Sequence, residues 1–370
     1  MLLSKLSINS FRNLEDQNIG FSEGVNLILG ENGQGKTSIL EAIYILSQGK
    51  SFREKSNKHL IQWQKKGFEV CGQFDGVDGS KSLSIKLENS RKTVKINENK
   101  INSAVEFFGT FTAVSFTPDD LDLVKGGSIN RRSFIDQTLA MIAPQYVHNL
   151  VSYQRALKSR NLILASYFSG RDKVELGPWN KILADLGLKI ALFRRDFIID
   201  FREYFIENYS KISGNQEGSD IKYDSQFFDN DIPLENEQIE EKYQNSFSTD
   251  LKFRSTRIGV HRDKIDFCLN LDSGQVFARN NASQGQARSI SLAAKISAAK
   301  FVSEKKNESP VLLLDDVQSE LDQGRLNRLF DLLFSLNGQV IITATEKVKL
   351  PILESQKLLE FSVKKGRLSS

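Results

Sequence analysis

Gly30, Glu31, Asn32, Gly33, Gln34, Gly35, Lys36 and Thr37 leave four free positions between a first glycine and a Gly-Lys-Thr. That spacing wraps backbone around phosphate. Glycines let several N–H groups point inward at once, Lys36 puts a cation on the outer phosphates, and the Thr37 hydroxyl is suited to Mg2+. Contacts to ATP are therefore expected from Gly30 through Thr37 and on to Ser38. Far downstream, Val311 to Leu314 form an apolar run that ends in Asp315 and Asp316. Alone, such a pair is an ordinary strand-to-loop boundary. Beside a phosphate loop, Asp315 is the carboxylate expected to anchor Mg2+ with Thr37, and Asp316 can face the attacking water. Lys36 and Asp316 are the expected catalytic pair.

The elements that position these residues can be read from their periodicity. Leu2 to Phe21 and Val25 to Leu29 are strand-like, and Gly30 ends the second run. A helix is predicted over Thr37 to Gln48, with Ile39, Leu40, Ile43 and Leu46 on one face and Gly49 as its stop. Short strands with turn signals from Phe68 to Val114 predict an antiparallel sheet beside the nucleotide core. Between Arg131 and about Ser213 the period becomes helical. One stripe is Leu139, Ile142, Tyr146, Leu150, Tyr153 and Leu157; another is Ile182, Leu186, Ile190, Phe193, Phe197 and Phe201. They are expected to pack on each other as antiparallel helices joined near Gly170 to Pro178. Gly214 to Asn245, polar and acidic, reads as a loop or irregular edge. Strands resume over Lys252 to Leu271, and Gln339 to Thr343 reads as a further strand.

Ala282 to Arg288 precede a predicted helix from Ser289 to about Ser303 and resemble the signature sequence of ABC-type ATPases. In those proteins small residues at a helix start face the terminal phosphate of ATP held by a partner subunit. The resemblance makes Ser283, Gln284, Gly285 and Gln286 the signature, acting in trans on a second copy. A serine here can equally be a plain helix cap. Ser319 and Asp322, in Ser319-Glu320-Leu321-Asp322, resemble the loop that crosses the dimer axis. Where many relatives carry a switch histidine, this chain has Thr343-Ala344-Thr345, and none of His59, His148 and His261 fills that place. Thr345 is the candidate contact to the terminal phosphate.

Phe11-Arg12-Asn13-Leu14, the glycine loop, Leu40-Glu41-Ala42-Ile43-Tyr44 and Gly49-Lys50-Ser51-Phe52-Arg53 are similar to the opening of the RecF family of bacterial recombination mediators. Phe116 to Leu121, Gly126-Gly127, Arg131 to Asp136 and His261-Arg262-Asp263 extend the resemblance over nearly the whole chain. Ser128, Val260 and Lys264 depart from the family pattern. The resemblance implies an α/β fold, with an ABC-type P-loop ATPase core assembled from both chain ends (residues 1–117 and 246–370) and an inserted, mainly helical lid (118–245). It also implies an ATP-dependent homodimer that binds double-stranded DNA or junctions of single- and double-stranded DNA and helps load RecA with RecR and RecO. Slow, DNA-stimulated hydrolysis would open the dimer. Arg131 and Arg132 are either DNA contacts or helix-start ion pairs.

Charge is nearly balanced, Lys+Arg 50 against Asp+Glu 46, so only local runs speak about partners. Lys50, Arg53, Lys55, Lys58, Lys65 and Lys66 crowd one segment and are the candidate DNA surface, although such a run can also be a solvated face. The longest apolar runs are strand-sized and no export segment is read at the start, so a cytoplasmic protein is expected. Cys71 and Cys268 have no metal or disulfide spacing. A transport ATPase is the alternative reading, and the missing switch histidine and the Phe11-Arg12-Asn13 opening count against it. A nuclease of the overcoming-lysogeny kind would need an appended metal-binding domain, for which no room is expected after Thr345.

Overall fold

The computed structural model describes residues 1–167, 175–215, 217–346 and 357–369, without the side chains of Ser319 and Glu320. Its centre is a six-stranded sheet whose order is Arg367–Ser369, Leu358–Lys364, Val25–Leu29, Val340–Ala344, Val311–Asp315 and Ala113–Phe116. All neighbours are parallel except the first pair. Parallel strands need both faces covered, which is why these runs are continuously apolar. Their alternation sorts them cleanly. Ile28, Val311, Leu313 and Ile341 point into one core, and Leu27, Leu312, Leu314 and Ile342 into the other.

On the first face lies the helix Lys36–Gln48, buried over nearly its whole length. A second six-stranded sheet, antiparallel, closes over it with Leu3, Leu6, Val70, Phe74, Leu83 and Ile85. The helix after the phosphate loop is thus clamped between two sheets, and its far end is capped by Gly49 (φ 67) and by Lys92, whose Nζ donates to the Gly49 carbonyl at 2.6 Å.

On the second face the helix Gln284–Lys306 packs against the 37-residue helix Gly177–Ser213, which also meets Pro144–Ser166. The stripe expected to run from Leu139 to Leu157 is broken in two. Pro144 opens a new helix after Ser128–Ile142, because proline fits a first turn and cannot continue the previous one. Tyr146 and Tyr153 are buried, whereas Leu150 and Leu157 stay partly exposed, and Ile182 of the second stripe is exposed. The predicted junction from Gly170 falls mainly outside the described residues.

Two readings need correction. Gly214 to Asn245 is largely ordered: the strand Gly218–Asp224 pairs antiparallel with Lys264–Leu271, and Asn236–Asn245 is a helix. Only Ile239 and Tyr243, four apart on one face, anchor that helix, and the surrounding carboxylates mask so sparse a pattern. Lys252 does not start a strand; it belongs to the helix Phe247–Phe253, which Arg254 ends at φ 49.

Candidate nucleotide-binding site

The strand Val25–Leu29 runs out of the central sheet into the glycine loop, and the Gly30 N–H is held by the Ala344 carbonyl of the adjacent strand. Gly35 precedes the helix at φ 111, a conformation that disfavours a Cβ, and a Cβ there would also lie 2.8 Å from Leu14. The Lys36 ammonium folds over the loop, donating to the carbonyls of Gly30 and, at 3.0 Å, Glu31. Burial lowers its pKa, and the charges of Asp316 and Asp315 oppose that shift.

Register brings the distant carboxylates to the same edge. Asp315 is paired with Thr343 across parallel strands, and its Oδ1 accepts from Thr343 Oγ1 at 2.8 Å and from Thr37 Oγ1 at 2.9 Å. Burial pushes the Asp315 carboxyl up, while the two hydroxyls and the Arg53 charge pull it back. Asp316 leaves the strand in the left-handed region (φ 48), and its N–H donates to the carbonyl of Thr343 and to its Oγ1. Thr343 therefore touches both carboxylates' residues at once. Thr345, the residue assigned to phosphate from sequence, is exposed beyond the strand end and does not line the cleft.

Lys36, Thr37, Ser38, Asn32, Asp315 and Asp316 line one open cleft of about 570 Å3. Gly33 and Gly35 also line it, whereas Gly30, Glu31 and Gln34 do not. Gln34 is used as a brace. Its Oε1 accepts from the Lys365 N–H at 2.6 Å and its carbonyl from the Gly366 N–H at 2.9 Å, which ties the loop to the turn before Arg367–Ser369. Five further lining residues were missed: Arg12, Asn13, His59, Ile61 and Pro118, the first two of which are held in place by side-chain hydrogen bonds. Asn13 Nδ2 donates to the Gly33 carbonyl while its Oδ1 accepts from Ser38 Oγ. Arg12 is held by a two-pronged pair with the buried Glu41. The Phe11-Arg12-Asn13 spacing was the available signal for both.

The hydroxyl of Thr37 and the carboxylate of Asp315 are hard oxygen donors less than 3 Å apart. Mg2+ takes such ligands and keeps waters and phosphate oxygens for the rest, so this pair fits it. Among the described residues no group of three or more His, Cys, Asp or Glu could hold a metal.

Ser283 does not line this cleft. It caps the helix Gln284–Lys306, its hydroxyl accepting from the Gln286 N–H while the Gln286 amide oxygen accepts from the Ser283 N–H. The helix starts five residues earlier than expected, so the signature is its first turn. Asp322 caps Gln323–Ser335 by accepting from the Arg325 N–H at 2.9 Å, and a Cβ on Gly285 would lie 2.6 Å from the Arg325 guanidinium of that second helix. The two helix starts thus adjoin. Ser319 lies outside the described side chains.

The six basic candidates are all exposed but do not act alike. Arg53 lines the nucleotide cleft. Lys50 turns toward Ser133 at 3.4 Å. Lys55, Lys58, Lys65 and Lys66 face solvent, and Trp63 beside them is 86% exposed. Arg131 is settled as structural: fully buried, it pairs with Asp266 and donates to the Gly126 carbonyl.

The sequence model of the family described as RecF/RecN/SMC N terminal domain matches residues 2–367. A DNA replication and repair protein RecF of Streptococcus uberis is 35% identical over 370 residues, covering 100% of both chains. This chain belongs to the RecF family. A RecF of Natranaerobius thermophilus is 36% identical over 344 residues, 90% of this chain and 88% of that one. Among solved structures, a recombination mediator protein described as RecF-ATP in the RecFOR pathway superposes with a TM-score of 0.90 at 31% identity, covering 100% of this chain and 97% of that one. An Smc head bound to the C-winged helix domain of ScpA, 16% identical with a TM-score of 0.53 over 100% of this chain and 96% of that one, shares the fold. The RecF fold is thus the ABC-type ATPase core built from both chain ends with a mainly helical insertion. Among the described residues no helix is long and apolar enough to cross a membrane.

Proposed function

We propose that this RecF-family protein is an ATP-dependent DNA-binding protein of recombinational gap repair in the cytoplasm, whose two copies close on ATP. The observation that carries this reading is the separation within one chain. Lys36, Thr37, Asp315 and Asp316 share a cleft, while the capped helix start at Ser283 lies outside it. A helix N-terminus favours phosphate, and here it needs a second molecule to supply one. Ser283, Gln284, Gly285 and Gln286 of one copy would then seal the triphosphate held by the other, with Ser319 and Asp322 at the contact.

Lys36 neutralises charge on the transferred phosphate, Thr37 and Asp315 would hold Mg2+, and Asp316 orients the attacking water. Mg2+ would supply charge neutralisation of the phosphate oxygens. Arg53 is better assigned to the nucleotide than to DNA, while Lys55, Lys58, Lys65 and Lys66 remain the proposed DNA contacts and Lys50 the weakest of them. Because ATP binds between copies, nucleotide and dimer stabilise each other. Residues 118–245 serve as the lid and 1–117 with 246–370 as the ATPase lobe. RecR, RecO and RecA are the proposed partners, and double-stranded DNA and its junctions with single strands the proposed ligands, gripped through phosphate without sequence preference.

Sedimentation velocity with ATP and Mg2+, with and without gapped DNA, tests this. A dimer should form only with ATP and bind DNA more tightly than the monomer; Asp316→Asn should bind ATP, stay dimeric and turn over at least ~100-fold more slowly. A particle that stays single at saturating ATP contradicts the reading.

A further inference from the structure

A second groove of about 490 Å3 opens where the end of the phosphate-loop helix meets the helices Ser128–Ile142 and Pro144–Ser166. It shares no lining residue with the nucleotide cleft, and of its own lining only Lys50, the weakest of the proposed DNA contacts, has been given another role. One wall is apolar: Phe108, Val147, Leu150, Val151 and Leu157, with the 68% exposed Ile129 at its edge. Leu150 and Leu157 are members of the helical stripe that stay partly uncovered.

The polar side of the groove carries an excess of positive charge. Asp136 and Asp263 are both committed to Arg194, at 2.8 and 2.7 Å, so that trio leaves one negative charge. Against it stand Lys50 and Arg132, both on the groove wall. Arg132 donates to the Asp263 carbonyl at 2.7 Å, and Lys50 to the Ser133 hydroxyl at 3.4 Å; these are neutral acceptors. His261 adds no charge near neutrality, since burial lowers its pKa to about 4. Its Nε2 faces the Thr256 carbonyl, and its Nδ1 faces the Tyr153 hydroxyl. The wall is firmly seated: Gln137 links Ser133 to the Tyr44 hydroxyl on the phosphate-loop helix.

We propose that this groove docks a segment of a partner protein in which aliphatic or aromatic side chains alternate with carboxylates. The apolar side chains would cover Leu150, Val151 and Leu157, and the carboxylates would meet Arg132 and Lys50. A volume of this size suits a short peptide or a drug-sized ligand, and the pairing of an apolar floor with a charged rim is that of a protein interface. Nucleic acid fits less well, because its phosphates have no use for a floor of branched side chains.

The test pans a random dodecamer peptide library displayed on phage against the full chain. The best peptide is then synthesised with fluorescein and its affinity measured by polarisation. Enriched sequences should combine Leu, Ile or Phe with Asp or Glu, and both Val151→Glu and Arg132→Gln should weaken the peptide about tenfold or more, about 1.4 kcal/mol. ATP binding and circular dichroism confirm that the variants fold; Val151 is partly exposed on a helix surface, so that variant carries the test if Arg132→Gln misfolds. The proposal fails if no sequence enriches, if enriched peptides are basic, or if both variants bind as tightly as the parent. It fails equally if the variants leave peptide binding intact and weaken a duplex DNA oligonucleotide instead.

Discussion

Two sets of carboxylates in this molecule are used in opposite ways. Asp136 and Asp263 enclose the guanidinium of Arg194, which is 2% exposed and also donates to the Val260 carbonyl; Tyr146 and Tyr223 complete the shell. Asp315, in contrast, has only hydroxyls as side-chain partners at hydrogen-bond range among the described residues, on the wall of an open cleft with Lys36. A carboxylate enclosed by a buried cation has its charge spent on the fold. One held by two neutral donors at the rim of a cleft keeps its charge for a ligand. We therefore propose that chemistry belongs to the strand ends and the arginine network to architecture.

The sharpest way to break this contrast is to remove the cation. Arg194→Met leaves Asp263 buried without its counter-charge and should cost about 3–5 kcal/mol of stability in urea unfolding, with ATP affinity unchanged in the folded fraction. A variant that kept full stability but lost ATP binding would move the network into the functional class.

Acid probes the same region more gently. The His261 pKa is lowered to about 4, chiefly by burial, against an ordinary value of 6.5. Above 6.5 the ring is neutral folded and unfolded, so no protons separate the two states. Below it the unfolded chain takes up a proton that the folded chain refuses. Stability therefore falls as pH drops from about 6.5 toward 4, by up to about 3 kcal/mol from this group. His261→Gln should flatten that portion of the curve. The same slope in the variant would mean that other groups cause it.

The smallest expected change sharpens the functional side. Thr343→Val keeps shape but removes the donor to Asp315 and one of the two acceptors for the Asp316 N–H, leaving the backbone carbonyl. It should cost about 1–3 kcal/mol of stability and slow ATP turnover while leaving ATP affinity within a few fold. Turnover at the parental rate would show that Thr343 does not position the pair.

The central sheet and phosphate loop were legible because their signals are local: an apolar strand, glycines at fixed spacing, a helix with a capping glycine. Asp315 and Asp316 were legible for the same reason. Thr343 was overlooked in favour of Thr345 because only register shows that the residue facing Asp315 lies two positions earlier. Arg53 was counted with the lysines because charge runs carry no direction, and the fold turns that one side chain into the cleft. The brace between Gln34 and Lys365 joins residues more than three hundred positions apart and left no periodic trace. The helix Asn236–Asn245 was hidden by its own solvent face, since two buried side chains suffice to seat it.

The claim of a composite pocket is tested most directly by mixing two inactive variants. Lys36→Ala cannot cradle the triphosphate but carries an intact helix start at Ser283; Ser283→Arg has the reverse defect. Each alone should be nearly silent in ATP turnover, and mixing them should restore part of the parental rate, because half of the pockets in a mixed dimer combine two sound faces. No recovery on mixing, with both variants shown to fold and associate, would contradict a pocket shared between copies.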